Sequence, residues 1–208
     1  KYIIMKRSFL LLLFAFAIIC ITKSQDIDPE YKKVLTQRSE KIANTLNITD
    51  SEKKERVIQA IIDQYHKVGL INDSAENQSK AAKKITNKEE KEAKLKLIEL
   101  EKNAKSYDQH CAFMGNLAID LSNDQIEAVK DGLTYGVVKV TYDSYLDMIP
   151  TLKEYEKRQI YAWLVEAREH AIGASSSKDK HGWFGKYKGR INNYLSKQGY
   201  DSQAERKA

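Results

Sequence analysis

The chain has 208 residues, enough for one domain with a hydrophobic core, and its 35 basic and 29 acidic residues give a formal net charge of +6. Four of those basic residues and no acidic ones lie in the first 24 positions, which leaves 31 basic against 29 acidic residues, or +2, for the remainder. This small surplus excludes a protein that holds nucleic acid through a large excess of positive charge.

The N-terminal segment has the organisation of a secretory signal peptide. Lys6 and Arg7 precede the apolar run "SFLLLLFAFAIICIT", and small or polar residues follow it. The run has about 15 residues, whereas a membrane-spanning helix needs about 20. We therefore expect residues 1–24 to be a cleaved signal peptide that starts at Met5, and the mature chain to have no transmembrane span. Cys20 leaves a lipid anchor open, although the bulky Ile19 before it disfavours lipoprotein processing.

The next segment predicts two helices, because apolar residues recur three and four positions apart. The first helix covers about residues 31–46 and the second about residues 50–70. The polar stretch "NDSAENQ", residues 72–78, is typical of a loop.

The third helix has the most regular pattern in the chain. Its apolar residues alternate spacings of four and three, as in a coiled coil: Ala93, Leu97, Leu100, Ala104, Tyr107, Cys111, Met114, Ala118 and Leu121. Two partners are open for this seam, the neighbouring helices of the same chain or another molecule, and we expect the first. Cys111, the only cysteine beyond the signal segment, is then predicted to be a small buried residue.

Repeated capping boxes, a Ser or Thr followed three residues later by Glu or Gln, mark the helix starts at Thr49–Glu52, Thr86–Glu89, Ser122–Gln125 and Thr151–Glu154. Residues 132–150 hold a β-branched cluster that fits a strand, but they also fit helical spacing, and a lone strand would have no partner. We predict that residues 25–208 form a single all-α domain, a bundle of six or seven helices around one long central helix.

Aromatic residues and glycines concentrate after about residue 130. A helix after Pro150 is predicted to end near Gly173, and a last helix to end near Gly199. This last helix carries an apolar stripe that we expect to be core: Trp183, Phe184, Tyr187, Ile191, Tyr194 and Leu195. Gly182, Gly185 and Gly189 lie on another face, where either a packed helix or a ligand would come close; helix packing is preferred.

Long strings in this region carry a family resemblance. "VKDGLTYGVVKVTYDSYLDMIP", "WLVEAREHA", "SSSKDKHGWFGKYKGRINNYLSKQGYD" and the earlier "LNITDSEKKERV" resemble an uncharacterised family of exported proteins, domain of unknown function 3826, typical of Bacteroidetes. The resemblance implies export to the periplasm or cell surface of a Gram-negative bacterium. It also implies a setting of polysaccharide degradation and uptake, and it implies no activity.

Candidate ligand-binding residues lie among the aromatic side chains: Asp108, Asp131, Tyr135, Glu166, His170, His181 and Lys186. Glu169 is a further carboxylate of this kind. Glu166 and His170 are four residues apart on one helix and can touch, while Arg168 between them points elsewhere. The four histidines are scattered without metal-ligand spacing, so we expect neither a metal nor another cofactor.

Two functions fit these features. Aromatic rings stack on sugars and polar side chains bind hydroxyl groups. Residues 177–208 hold eight basic and three acidic residues, a surplus that would suit an acidic oligo- or polysaccharide. We therefore predict an exported accessory protein associated with glycans, which binds its ligand rather than transforming it, although processing stays open. The alternative is a periplasmic helical chaperone of the LTxxQ type, to which the helix starts at Ile48–Glu52 and Leu121–Gln125 are similar. The oligomeric state is left open.

Overall fold

A computed structural model describes residues 27–200, and the predicted signal peptide lies outside them. The described residues form helices and no strand, so the all-α prediction is confirmed. In chain order the seven helices of this part are α1 (Pro29–Ala43), α2 (Ser51–Ala82), α3 (Lys88–Asp120), α4 (Asn123–Leu133), α5 (Val137–Met148), α6 (Glu154–Ile172) and α7 (Ser177–Lys197). Residues 132–150 are therefore helical on both sides of a short turn. Between residues 27 and 200, no helix is apolar over a length that could span a membrane.

One of the four predicted capping boxes forms as expected. Ser122 Oγ accepts from the Gln125 backbone N–H and the Gln125 side chain accepts from the Ser122 backbone N–H, which satisfies two free donors at the start of α4. Elsewhere the predicted starts were wrong by one or two residues. Asp50 caps α2, Asn87 caps α3, and Glu156 accepts from the Lys153 backbone N–H at the start of α6.

The loop predicted at residues 72–78 does not exist, because α2 continues through it as one helix to Ala82. The segment contains neither glycine nor proline, so nothing in it breaks the helix. Ala75 is buried in a small cluster with Ala82 and Ile98 of α3, and this packing outweighs the polar composition. The Asn72 amide donates to two carbonyls, Val68 O at 2.8 Å and Gly173 O at 3.2 Å.

The long helix α3 packs with the opposite face to the one predicted. Its buried residues are Ile98, Phe113 and Leu117, which face α1, α2 and α4. Most of the predicted seam is exposed instead: Leu97 is 46% accessible, Leu100 53% and Tyr107 69%. Cys111 is also exposed, so its predicted burial was wrong.

The apolar residues form two main clusters, one in each half of the described chain. The first joins α1, α2, α3 and α4 around Phe113 and Leu117, with Ile172 from the end of α6. The second joins α5, α6 and α7 around Ile160, Leu164 and Phe184. Many of the contacts between the two halves are polar, and a charged side chain, Lys180, is buried at this boundary.

Lys180 lies at the start of α7, 4% accessible, with Nζ 2.8 Å from the Leu133 carbonyl oxygen at the end of α4 and 5.4 Å from the centre of the Tyr65 ring. The ammonium thus donates to a carbonyl group left free at the end of a helix. No carboxylate in the described residues is paired with it. Burial, aided by the charge of Arg38, lowers the pKa of Lys180 to about 8 from its ordinary 10.5.

This pKa predicts a stability that rises with pH. The folded state releases the Lys180 proton above about pH 8, whereas the unfolded chain keeps it until about 10.5, so the unfolded state binds more protons in between. Urea unfolding between about pH 7.5 and 9.5, below the titration of ordinary tyrosines near 10, should show the free energy of unfolding rising by about 1–2 kcal/mol. Lys180→Met should abolish the rise; a variant with the same pH dependence would contradict the assignment to Lys180.

Candidate functional site

A groove of about 830 Å³ opens between the two halves of the chain. One wall is the middle of α3, with Lys102, Ser106, Tyr107 and His110, and the other is the start of α7. The end of α6 forms the floor with Glu169 and His170. Pockets at the boundary between two packed units, with apolar walls and a few convergent polar groups, are the usual form of a binding site.

Trp183 is the main aromatic side chain of the groove. Its ring is stacked on His170, with ring centres 4.4 Å apart and planes 13° apart, and Lys186 Nζ lies 4.9 Å from the centre of the Trp183 ring. We predicted Trp183 as core, but it is only partly buried, whereas Phe184 and Tyr187 beside it are buried as predicted. The indole is thus held by His170 on one side and covered on the other by the Lys186 side chain.

The glycines of α7 do not serve close helix packing, and that prediction was wrong. A Cβ atom added to Gly182, Gly185 or Gly189 would meet no atom within 4 Å. Gly182 lines the groove, and Gly189 lines a second, shallower recess with Trp163, Arg190 and Lys197. Lys186 borders both. Because these glycines have no side chains, the exposed face of α7 lacks bulky groups between two recesses. Each recess contains a tryptophan ring and at least one cationic side chain.

A network of charges lies beneath the groove. Arg168, whose side chain is 3% accessible, donates to Glu127 and, over 2.7 Å, to Asp131 Oδ1, both on α4. The Glu169 carboxylate pairs with two side chains: its Oε1 lies 3.2 Å from Lys130 Nζ, and its Oε2 lies 3.2 Å from His110 Nε2. The network ties α3, α4 and α6 together across the boundary between the two halves.

The network also decides the protonation of its carboxylates. Burial alone would raise the pKa of Glu169, but the His110 hydrogen bond and the charges of Lys130 and Arg168 outweigh it and hold the pKa at about 2. Burial likewise opposes ionisation of Glu127, whose pKa is nevertheless lowered by Lys130 and Arg168. A carboxylate held this strongly in its ionised form is a poor general acid or base near neutral pH. Between residues 27 and 200, no three His, Cys, Asp or Glu side chains are grouped as metal ligands would be.

Two of the seven predicted ligand-binding residues, His170 and Lys186, line the groove. Glu166 lies one helical turn before His170 but contacts α7 instead: it accepts the Tyr187 hydroxyl at 2.7 Å and pairs with Arg190 at 3.4 Å. The expected contact between Glu166 and His170 is replaced by these partners and by the stacking of His170 on Trp183.

The other four predicted residues lie outside the groove. Asp131 is a partner of Arg168, and Asp108 is exposed on α3. Tyr135 and His181 stack on each other with ring centres 5.6 Å apart. Tyr135 has a φ of 61°, a conformation that costs a non-glycine residue about 1–2 kcal/mol and that here turns the chain from α4 into α5.

His181→Ala should therefore change stability by less than about 0.5 kcal/mol, because its ring is exposed on the side of α7 away from the groove. Urea unfolding measures this directly. A loss comparable to that of a buried residue would show that the Tyr135–His181 stack holds the turn between α4 and α5.

The sequence did not single out Lys102, Ser106, Tyr107 and His110 of α3 as site residues. Tyr107 was assigned to a packed seam, and the other three carry no motif. Only the crossing of α3 over the end of α6 brings them to His170 and Trp183. Arg168 was expected to point away from Glu166 and His170, and it does: its guanidinium lies in the charge network with Glu127, Asp131 and Glu169.

The fold and the groove define an all-α protein with a candidate ligand-binding site between two helical halves. The family model described as "Protein of unknown function (DUF3826)" matches residues 32–208, and the chain belongs to this family. No curated protein matches the chain.

Proposed function

We propose that the protein is an exported accessory protein of glycan utilisation, and that the groove between α3 and α7 binds an acidic oligosaccharide. The observation that carries this proposal is the placement of Trp183. A partly buried indole faces a groove that also holds three lysines, Lys102, Lys178 and Lys186. Export is supported by the signal-peptide organisation of the N-terminal segment.

The lining suits a sugar in three ways. An indole ring packs against the apolar C–H face of a pyranose, and Trp183 supplies such a ring. Asn72 and Ser106 carry side-chain donors and acceptors for hydroxyl groups. When a sugar takes the outer face of Trp183, the Lys186 ammonium is displaced from the ring and becomes available for a carboxylate of the ligand.

The charge of the lining favours an acidic ligand. Against the three lysines stand two acidic residues, Glu169 and Asp179. Both are engaged within the protein, Glu169 by His110 and Lys130, and Asp179 by the Ser176 hydroxyl at 2.6 Å. The lysines are the groove's available charges, and the electrostatic share of binding should weaken as salt screens it.

The proposal is tested by titration calorimetry of residues 25–208 with oligogalacturonides and, for comparison, neutral cello-oligosaccharides. We expect binding of the acidic series that weakens with added salt. Absence of binding to both series at millimolar concentration would overturn the proposal, and equal binding of the neutral series would remove its acidic part.

Trp183→Ala should weaken the binding of oligogalacturonide at least tenfold, which corresponds to about 1.4 kcal/mol. Tyr161→Ala is the matched control, because Tyr161 is a 48% accessible aromatic residue that contacts Tyr142 outside the groove lining. Equal losses in the two variants would show that Trp183 does not contact the ligand.

Lys102→Met combined with Lys186→Met should reduce both the affinity for the acidic series and its dependence on salt. The matched control is Lys139→Met, because Lys139 lies on α5 in an exposed pair with Asp143. If the double variant kept the salt dependence of the unmodified protein, the groove lysines would not be the groups that bind the carboxylates.

The chaperone alternative has less support, because helix capping and contacts within the fold explain both of its motifs. Gln125 caps α4 and also donates to the Leu46 carbonyl oxygen at 2.8 Å, and Asp50 rather than Thr49 caps α2. An assay of client aggregation separates the two functions. Suppression of aggregation without any glycan binding would favour the chaperone.

A further inference from the structure

The exposed face of α3 carries a regular apolar stripe that no part of the described chain covers. The stripe consists of Ala93, Leu97, Leu100, Ala104, Tyr107 and Cys111, and all six are exposed. Leu97, Leu100 and Tyr107 are 46%, 53% and 69% accessible. Single exposed apolar residues are ordinary on protein surfaces, but six in register along one helix are not.

The spacing of the stripe identifies the shape of its partner. Intervals of four and three residues alternate without a break from Ala93 to Cys111, over about 27 Å of helix. When apolar residues are spaced 3.5 positions apart on average, the stripe keeps facing one other helix, and the two helices wind around each other. The face of α3 that packs inside the protein, with Ile98, Phe113 and Leu117, is on the other side and does not require this repeat.

We propose that α3 pairs with α3 of a second copy of this chain in a parallel, in-register coiled coil. The residues flanking the stripe favour this partner and direction. In a parallel pair, the residue just before one position of the stripe (heptad position g) faces a residue of the second copy that lies five positions later and just after a stripe position (heptad position e). This rule sets Glu89 against Lys94 of the second copy and Lys96 against Glu101 of the second copy, two attractive pairs that occur twice by symmetry.

The third such contact sets the Asn103 amide against the Asp108 carboxylate of the second copy, a hydrogen-bonding pair. An antiparallel arrangement centred on the stripe would set Lys94 against Asp108 of the second copy, but it would also place Glu101 against Glu101, whereas the parallel register contains no like-charged contact. Lys96 pairs at present with Glu99 across 3.0 Å, but its side chain remains 63% accessible, so the ammonium can bridge to Glu101 of the second copy instead.

The pairing does not depend on what the groove binds, but it would affect how the groove acts. Tyr107 belongs both to the stripe and to the groove lining. A pair would therefore carry two grooves, one beside each edge of the coiled coil. A polymer that reaches both grooves would be held more tightly than one groove alone allows, through the raised local concentration at the second site.

The first test is the mass of residues 25–208 in solution, by sedimentation equilibrium from low to hundreds of micromolar. We expect a reversible approach to the mass of two chains. Leu97→Glu combined with Leu100→Glu should raise the dissociation constant at least tenfold, because it places charges in the stripe. Val140→Glu is the control, since Val140 is 65% accessible on α5, and it should leave the constant unchanged.

The second test reports the direction of the pair. In the parallel register, Cys111 lies opposite Cys111 of the second copy, so a short bis-maleimide should link the two chains. The link should be lost in the Leu97→Glu, Leu100→Glu variant. Circular dichroism checks that this variant is folded, as expected for changes at exposed positions.

Three results would overturn the proposal. The first is a single-chain mass at hundreds of micromolar, and the second is a dimer that the double variant leaves intact. The third is an unmodified dimer in which the bis-maleimide does not link Cys111 to Cys111, although the double variant abolishes the dimer. This result would reject the parallel register.

Discussion

Replacing Arg168 by methionine should lower the free energy of unfolding by about 3 kcal/mol. The change removes the buried cation from a charge network and leaves its carboxylate partners without the positive charge that stabilises them. Arg168 is 3% accessible and contacts Glu127, Asp131 and Glu169. The partners are 30–50% accessible, and water compensates them in part, so the low end of the range for a broken buried pair applies. Urea unfolding at neutral pH measures the loss.

The pH dependence of this loss has a definite sign. Arg168 helps to lower the pKa of Glu127 and, with His110 and Lys130, the pKa of Glu169 to about 2. The stability that these ionised carboxylates contribute is fully present above their ordinary pKa of 4.5 and is lost as pH falls through the lowered values. The deficit of Arg168→Met should therefore be constant near neutral pH and shrink in acid. Arg190→Met is the control, because its pair with Glu166 is half exposed and worth about 1 kcal/mol or less. Equal losses in the two variants would show that the network does not stabilise the fold.

Tyr187→Ala should cost about 3–5 kcal/mol, the range for emptying a buried aromatic site. Tyr187 is 5% accessible within the cluster of α5, α6 and α7, and its hydroxyl donates to Glu166. Tyr187→Phe keeps the ring and removes only the hydrogen bond, so it should cost about 1 kcal/mol. Similar losses in the two variants would mean that the hydroxyl, and not the ring, is the main contribution.

Trp183→Ala should be less damaging than Tyr187→Ala, at about 1–2 kcal/mol, although the two residues share one predicted stripe. The Trp183 ring is only partly buried and packs on His170 at the edge of the groove. Comparing the two variants separates the parts of the stripe that build the core from the part that faces a ligand. A loss for Trp183→Ala as large as that for Tyr187→Ala would place its ring in the core.

The helical class and the helix starts, the latter to within one or two residues, could be predicted from the sequence, because they depend on neighbours in the chain. The four-three spacing identified α3, and Ser122 with Gln125 identified the start of α4. The buried face of α3 could not be predicted, because α3 has two apolar faces and periodicity does not say which one meets α2. The continuation of α2 past Leu70 was missed for a related reason: the burial of Ala75 depends on α3, which follows it in the chain.

The candidate site was predictable only where its residues are close in sequence. His170, Lys186 and the aromatic segment around Trp183 come from α6 and α7, whose composition is unusual. The α3 wall and the charge network join residues that are far apart, such as His110 with Glu169 and Arg168 with Glu127. The pairing of these charges depends on helix crossings, which no local pattern encodes.

The division of the apolar residues into two clusters has a consequence for the order of folding. Within each cluster most of the packing is between helices that follow one another in the chain, and such local contacts form early because the loops they close are short. The contacts that join the halves span long separations, 41 residues from Glu127 to Arg168 and 101 from Asn72 to Gly173. We expect each half to collapse first and the groove to appear only when the halves dock. Hydrogen exchange should then find the amides beside the groove opening more readily than those around Phe113 or Leu164.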